Sequence, residues 1–121
     1  MRNVAGPSFL LPSALETAGD ETLLSELIDI ALDQGPKYLE AALSAQDRGD
    51  ASGVEYAVHK LRGAVSLFGA TLLCAALEEV ERAARRGELA ESSTLLGVAG
   101  SEWRRLADEL VDWRTQTGRQ D

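Results

Sequence analysis

The chain has 121 residues, with 12 Lys and Arg against 20 Asp and Glu and a formal net charge of −8. That length fits one compact domain. A sequence pI near 4.6 excludes a general nucleic-acid binder and a polybasic membrane-surface module, since both need a cationic face.

Taken in chain order, residues 1–19 read as an N-terminal segment with a short helix from Ser13 to Ala18. Ser13 is its candidate N-cap and Gly19 its stop. The second helix starts at Asp20 or Thr22 and runs to Asp47. Its apolar residues Leu24, Ile28, Ala31, Tyr38 and Ala42 recur at helical steps, and Leu27 and Leu39 widen the stripe. Gly35-Pro36 predicts a kink or break within it, because proline removes an intrahelical hydrogen bond. Gly49-Asp50 closes the segment, and Asp50 can cap the next one. The third helix covers Ala51 to Leu67 with the stripe Val54, Val58, Leu61, Val65 and Phe68, and Gly69 ends it. The fourth runs from Thr71 to Arg86 on Leu73, Leu77, Val80 and Ala84, and stops at Gly87. The fifth runs from Leu89 to Thr115 on Leu89, Leu96, Ala99, Trp103, Leu106, Leu110 and Trp113, with Ser92 in the remaining slot.

Short connections between long amphipathic segments force antiparallel neighbours. The predicted fold is therefore all-α: an antiparallel up-down four-helix bundle over residues 20–116, with the short N-terminal helix covering one end. Residues 117–121 read as a frayed tail. No apolar run reaches the roughly 20 residues that span a bilayer, and Met1 to Pro12 does not read as a signal peptide. Cys74 is the only cysteine, so it has no internal disulfide partner, and its expected role is a small apolar side chain. A cytoplasmic monomer is the default expectation.

His59 is the only histidine. It lies about 100° round the helix from Val58, on a face with Glu55, Tyr56, Arg62, Gly63 and Ser66, so it should sit at or near solvent. Gly63 stands mid-helix one turn later, where glycine costs about 1 kcal/mol against Ala. Removing a side chain there lets another surface reach the imidazole. Arg62 can reach a group bound on the ring, and its fork of donors matches phosphate oxygens. An exposed imidazole, an adjacent cation and a cleared approach make a nucleophile able to carry a phosphoryl group.

The run His59-Lys60-Leu61-Arg62-Gly63, followed by Gly69 ten residues after the histidine, resembles the histidine-containing phosphotransfer (HPt) domains of phosphorelays. The resemblance covers Asp20 to Trp113. It implies a four-helix bundle with His59 as phosphoacceptor and Arg62 as phosphate counter-charge, where the family more often has Lys. It also implies polar residues near the imidazole from the fourth helix, matched here by Glu81 and Arg85, whose i,i+4 spacing equally allows an ion pair with each other. Gly63 and Ser66 would leave room for docking, with Val54, Ala57 or residues of the second helix bordering the surface.

The implied partners are receiver domains of a hybrid sensor histidine kinase and of a response regulator. The receiver would bring Mg²⁺, and this chain would hold no cofactor or metal of its own. No Walker pattern or kinase signature is present, so no autonomous kinase activity is expected. Two other readings stay open. One is the phosphotransfer module of a chemotaxis-type kinase, phosphorylated by a separate ATP-dependent domain. The other is a non-catalytic helical adaptor in which His59 is incidental and His59→Gln leaves binding intact. Glu78 and Glu79 read as an ordinary solvated face. Residues 1–50 hold 9 acidic and 3 basic side chains, and residues 51–121 hold 11 and 9. Between Tyr56 and Leu77 there is no carboxylate, a carboxylate-free window of sequence around His59 that suits a group carrying about two negative charges.

Overall fold

The computed structural model describes residues 6–118. Those residues form five α-helices and one short 3₁₀ turn, with no strand among them. The first helix, α1, is Leu11–Ala18. It begins two residues before the predicted Ser13 because Pro12 fits the first turn, where an N–H has no intrahelical partner to lose. Ser13 therefore lies inside the helix, and the N-cap Leu10 has no side-chain hydrogen bond.

Helix α2, Glu21–Asp47, is capped by Asp20, whose Oδ1 accepts from Leu23 N at 2.8 Å. It runs unbroken through Pro36, contrary to the break that Gly35-Pro36 allowed. Proline inside a helix costs about 3 kcal/mol. The buried side chains Leu24, Ile28, Ala31, Ala42 and Ala45 lie on both sides of it, and burying a Leu or Ile side chain contributes roughly 1.5–3 kcal/mol. One continuous helix therefore wins. Gly35 is buried because the Trp103 indole packs onto its backbone, and a Cβ there would overlap the ring. The glycine next to Pro36 serves close packing rather than a helix end.

Asp50 caps α3, Ala51–Val65, accepting from Gly53 N at 2.9 Å. The last residues of the predicted third helix instead tighten into a 3₁₀ turn, Ser66–Phe68. Gly69 closes it at φ 71°, a left-handed backbone that glycine adopts without a Cβ clash. The chain then enters α4, Thr71–Arg85, and α5, Leu89–Gly118. The last helix keeps Trp113 packed on the core and extends past the expected end at Thr115, through Gly118, so residues 117–118 of the expected frayed tail are helical. The rest of the expected frayed tail, residues 119–121, lies outside the described residues, as do residues 1–5.

Successive long helices pack on one another, and α2 also meets α5, so the contacts close around a single core. Leu24, Ile28, Leu61, Phe68, Leu77 and Leu106 are among its fully buried side chains. Helix α1 covers the end of this ring at the 3₁₀ turn and α2. Residues 8–10 are tied there as well. Ser8 N and Phe9 N donate to the Glu109 carboxylate at 3.1 and 2.6 Å, and Leu10 N donates to Phe68 O at 2.8 Å. The Phe9 ring meets Phe68 and Trp113 edge-on. This anchoring holds the turn that follows α3.

Candidate functional site

The buried stripe Val54, Val58, Leu61 and Val65 fixes how α3 is rotated against the core. With that stripe inward, residues one position further round face outward, and the His59 side chain is 66% exposed. Partners across α3 and α4 follow a falling order. Glu55 meets Arg85, His59 meets Glu81, and Arg62 meets both Glu81 and Glu78. A short connection through Gly69 produces that register, because residues equally far from the turn come opposite each other.

Glu81 is the centre of the site. Its side chain is only 6% exposed, and the carboxylate is held between two donors. His59 Nδ1 lies 2.9 Å from Oε2, and Arg62 Nε lies 2.9 Å from Oε1. Arg62 Nη2 is also 2.9 Å from Oε1. A buried carboxylate needs such partners, since leaving it unpaired costs several kcal/mol. A carboxylate accepts, so Nδ1 carries the ring proton and Nε2 keeps its lone pair. Among the described residues Nε2 has no partner. The arrangement therefore presents one oriented nucleophilic nitrogen to solvent.

Arg62 does not stand free beside the ring. Its guanidinium neutralises Glu81, approaches Glu78 Oε2 at 3.5 Å, and lies 3.4 Å from His59 Nδ1. Gly63 is exposed and a Cβ there would meet nothing within 4 Å, so internal packing does not demand the glycine. Ser66 is exposed at the start of the 3₁₀ turn, in a second open groove with Gly69, Thr71 and Cys74. His59, Glu55, Tyr56, Glu81 and Arg85 line an open groove of about 400 Å³.

Several expectations change. Glu81 and Arg85 do not pair with each other; Glu81 turns to α3, and Arg85 Nε donates to Glu55 Oε2 at 2.8 Å. Val54 and Ala57 cannot border a docking surface, because both are buried in the core. The exposed apolar neighbour of His59 is Tyr56, at 65%. The carboxylate-free window does not survive folding. Glu55 lies one turn before His59, and α4 brings Glu78 and Glu81 back onto the same face. Glu78 is thus more than a solvated face residue, whereas Glu79 pairs only along its own helix with Arg82. Sequence reasoning missed the Glu55–Arg85 pair and the reach of Glu78. Counting outward from the Gly69 turn would have found both, since 55 falls opposite 85 and 62 opposite 78.

Cys74 packs partly against the core. Burial pushes its thiol up, with the Arg62 charge opposing and Glu78 adding to the effect. No cluster of three or more His, Cys, Asp or Glu with metal-site geometry occurs among the described residues, and no helix there is long and apolar enough to cross a membrane.

A family model described as the Hpt domain matches residues 26–113. Among solved structures, the chain is similar to histidine-containing phosphotransfer protein B (HptB) from Pseudomonas aeruginosa PAO1. The two share 27% identity over 92% of this chain and 97% of that one, with a TM-score of 0.81. No curated protein matches the chain.

Proposed function

The chain belongs to the Hpt domain family, and from that premise we propose that His59 is a phosphorelay acceptor and donor. It takes a phosphoryl group from a receiver-domain aspartyl phosphate on a hybrid sensor kinase and passes it reversibly to the receiver of a response regulator. The single observation that carries this reading is the Glu81–His59 hydrogen bond at 2.9 Å, which leaves Nε2 of an exposed ring as the attacking atom. The closed ring of α2 to α5 contacts supports the antiparallel up-down four-helix bundle as its scaffold.

In the forward step the Nε2 lone pair forms a bond to phosphorus, and the bond from phosphorus to the aspartyl oxygen breaks. The aspartate leaves as a carboxylate with that electron pair. The ring becomes an imidazolium whose Nδ1 proton stays on the Glu81 hydrogen bond, so the developing positive charge meets a carboxylate already in place. Glu81 orients the ring, and Arg62 balances Glu81 and puts a cation beside the ring. Gly63 keeps the approach to Nε2 clear. Phosphoryl transfer depends mainly on positioning and charge neutralisation, which these residues supply. Any Mg²⁺ that neutralises phosphate charge would be held by the partner receiver.

The test is a receiver domain loaded with labelled acetyl phosphate in Mg²⁺ and mixed with this chain. The expected result is an acid-labile, base-stable phosphate on the chain that is absent in His59→Gln. No label from any receiver tested would contradict the reading.

A further inference from the structure

Folding commits the cations of α3 and α4 to carboxylates, with one exception. Arg62 faces Glu81 and Glu78, Arg82 faces Glu78 and Glu79, and Arg85 faces Glu55. Arg86, just beyond α4, faces Glu88 and Glu91. Lys60 has no carboxylate partner among the described residues. Its Nζ instead lies over the Tyr56 ring, 5.4 Å from the centroid, within reach of a cation–π contact.

The placement gives that free charge a direction. Tyr56, Lys60 and Gly63 follow one line of α3 at four- and three-residue steps. Glu55, His59, Arg62 and Ser66 follow the next line, toward α4. His59 thus stands between a flank closed by ion pairs and a flank that holds an exposed aromatic ring, an unpaired ammonium and an open glycine. The protein carries a net charge of −8, and an aspartyl phosphate carries about two negative charges more. On a face where the other cations are already neutralised by carboxylates, the cation that can engage an acidic partner without breaking an ion pair favours the encounter most. Arg62 and Arg85 would each have to leave a carboxylate at 2.8–2.9 Å. Lys60 gives up only the face of Tyr56.

We propose that Lys60, held over Tyr56, is the specificity-determining cation of the phosphotransfer face, pairing with carboxylates on the rim of the incoming receiver's aspartyl-phosphate site. The proposal rests on the phosphorelay reading and names the side chain that selects the partner.

The experiment compares two donors. One is the receiver domain that transfers fastest to the wild-type chain, loaded with acetyl phosphate and Mg²⁺. The other is phosphoramidate, a small donor that needs no docking. For Lys60→Glu the expected kcat/KM from the receiver is about tenfold lower at roughly 50 mM salt, and the gap closes to within about threefold at roughly 0.5 M as screening removes the charge effect. Tyr56→Ala, which frees the ammonium from its perch, gives a smaller loss. Phosphoramidate should label His59 in both variants at the wild-type rate. Receiver transfer to Lys60→Glu at the wild-type rate in low salt would overturn the proposal and leave the phosphorelay reading intact. An equal loss with phosphoramidate would also overturn it, because Lys60 would then serve the phosphoryl group rather than the partner. A wild-type chain that phosphoramidate labels but no receiver does would overturn both.

Discussion

Replacing Glu81 by Gln and by Ala should separate the tautomer of His59 from the stability of the site. Arg62 Nε and Nη2 both donate to Glu81 Oε1, each at 2.9 Å, while His59 Nδ1 faces Oε2. Glutamine has a single acceptor oxygen, and the Arg62 fork takes it. The amide NH₂ then faces Nδ1 and donates to it, which puts the ring proton on Nε2 and removes the nucleophilic lone pair. Restoring the reactive tautomer means breaking that hydrogen bond, a net cost of about 1–1.5 kcal/mol, or roughly a tenfold loss of rate. Alanine leaves both ring nitrogens to water, so its rate should fall only about threefold, well under 1 kcal/mol in barrier. Stability should run the other way. Alanine strands Arg62 with Glu78 alone, at a cost of about 1–3 kcal/mol; this is below the value for a fully enclosed pair because water reaches the partly exposed guanidinium. Glutamine keeps the Arg62 bond and should lose about 1 kcal/mol. The assay is His59 labelling by phosphoramidate beside thermal unfolding. The slower variant should be the more stable one. A Gln variant that reacts as fast as wild type, or faster than Ala at a temperature where both are folded, would refute the tautomer argument.

Three further outcomes follow from local geometry. Gly63→Ala should raise stability by up to about 0.5–1 kcal/mol, since its Cβ meets open space in the last turn of α3. Gly63→Gln should keep the fold but slow receiver transfer far more than phosphoramidate labelling, which unfolding curves and the two rates together will show. Gly35→Ala should destabilise the protein by about 1–3 kcal/mol or more, because the new methyl overlaps the Trp103 ring and forces repacking; a melting temperature equal to wild type would contradict that packing. Cys74 should alkylate more slowly with iodoacetamide at neutral pH than a free thiol does, with its rate still rising above the ordinary thiol range. A raised thiol pKa means less thiolate at any given pH.

Much of this molecule is legible in its sequence, and the places that are not share a physical cause. Periodicity placed Val54, Val58, Leu61, Val65 and Phe68 in the core and His59 outside it, because one helix rotation determines both. Turn residues marked the joints at Gly19, Asp50, Gly69 and Gly87, where local chemistry decides the backbone. Pro36 does not break α2, because its local cost is outweighed by packing from a distant helix, through Trp103 against Gly35. The carboxylate-free window misled for the same reason. It counted along the chain, whereas charge acts through space, and α4 folds Glu78 and Glu81 onto Arg62 and His59. Phe9 and its clamp on Glu109 left no signal either, since a lone apolar residue in an irregular segment has no period to reveal its burial.

The most direct measurement is the position of the phosphate on the ring. Nitrogen-15 and phosphorus-31 NMR of the labelled, phosphorylated protein should show the phosphorus coupled to Nε2 of His59, with the Nδ1 proton still present and shifted by its hydrogen bond to Glu81. Phosphorus on Nδ1, or on any residue other than His59, would contradict the account.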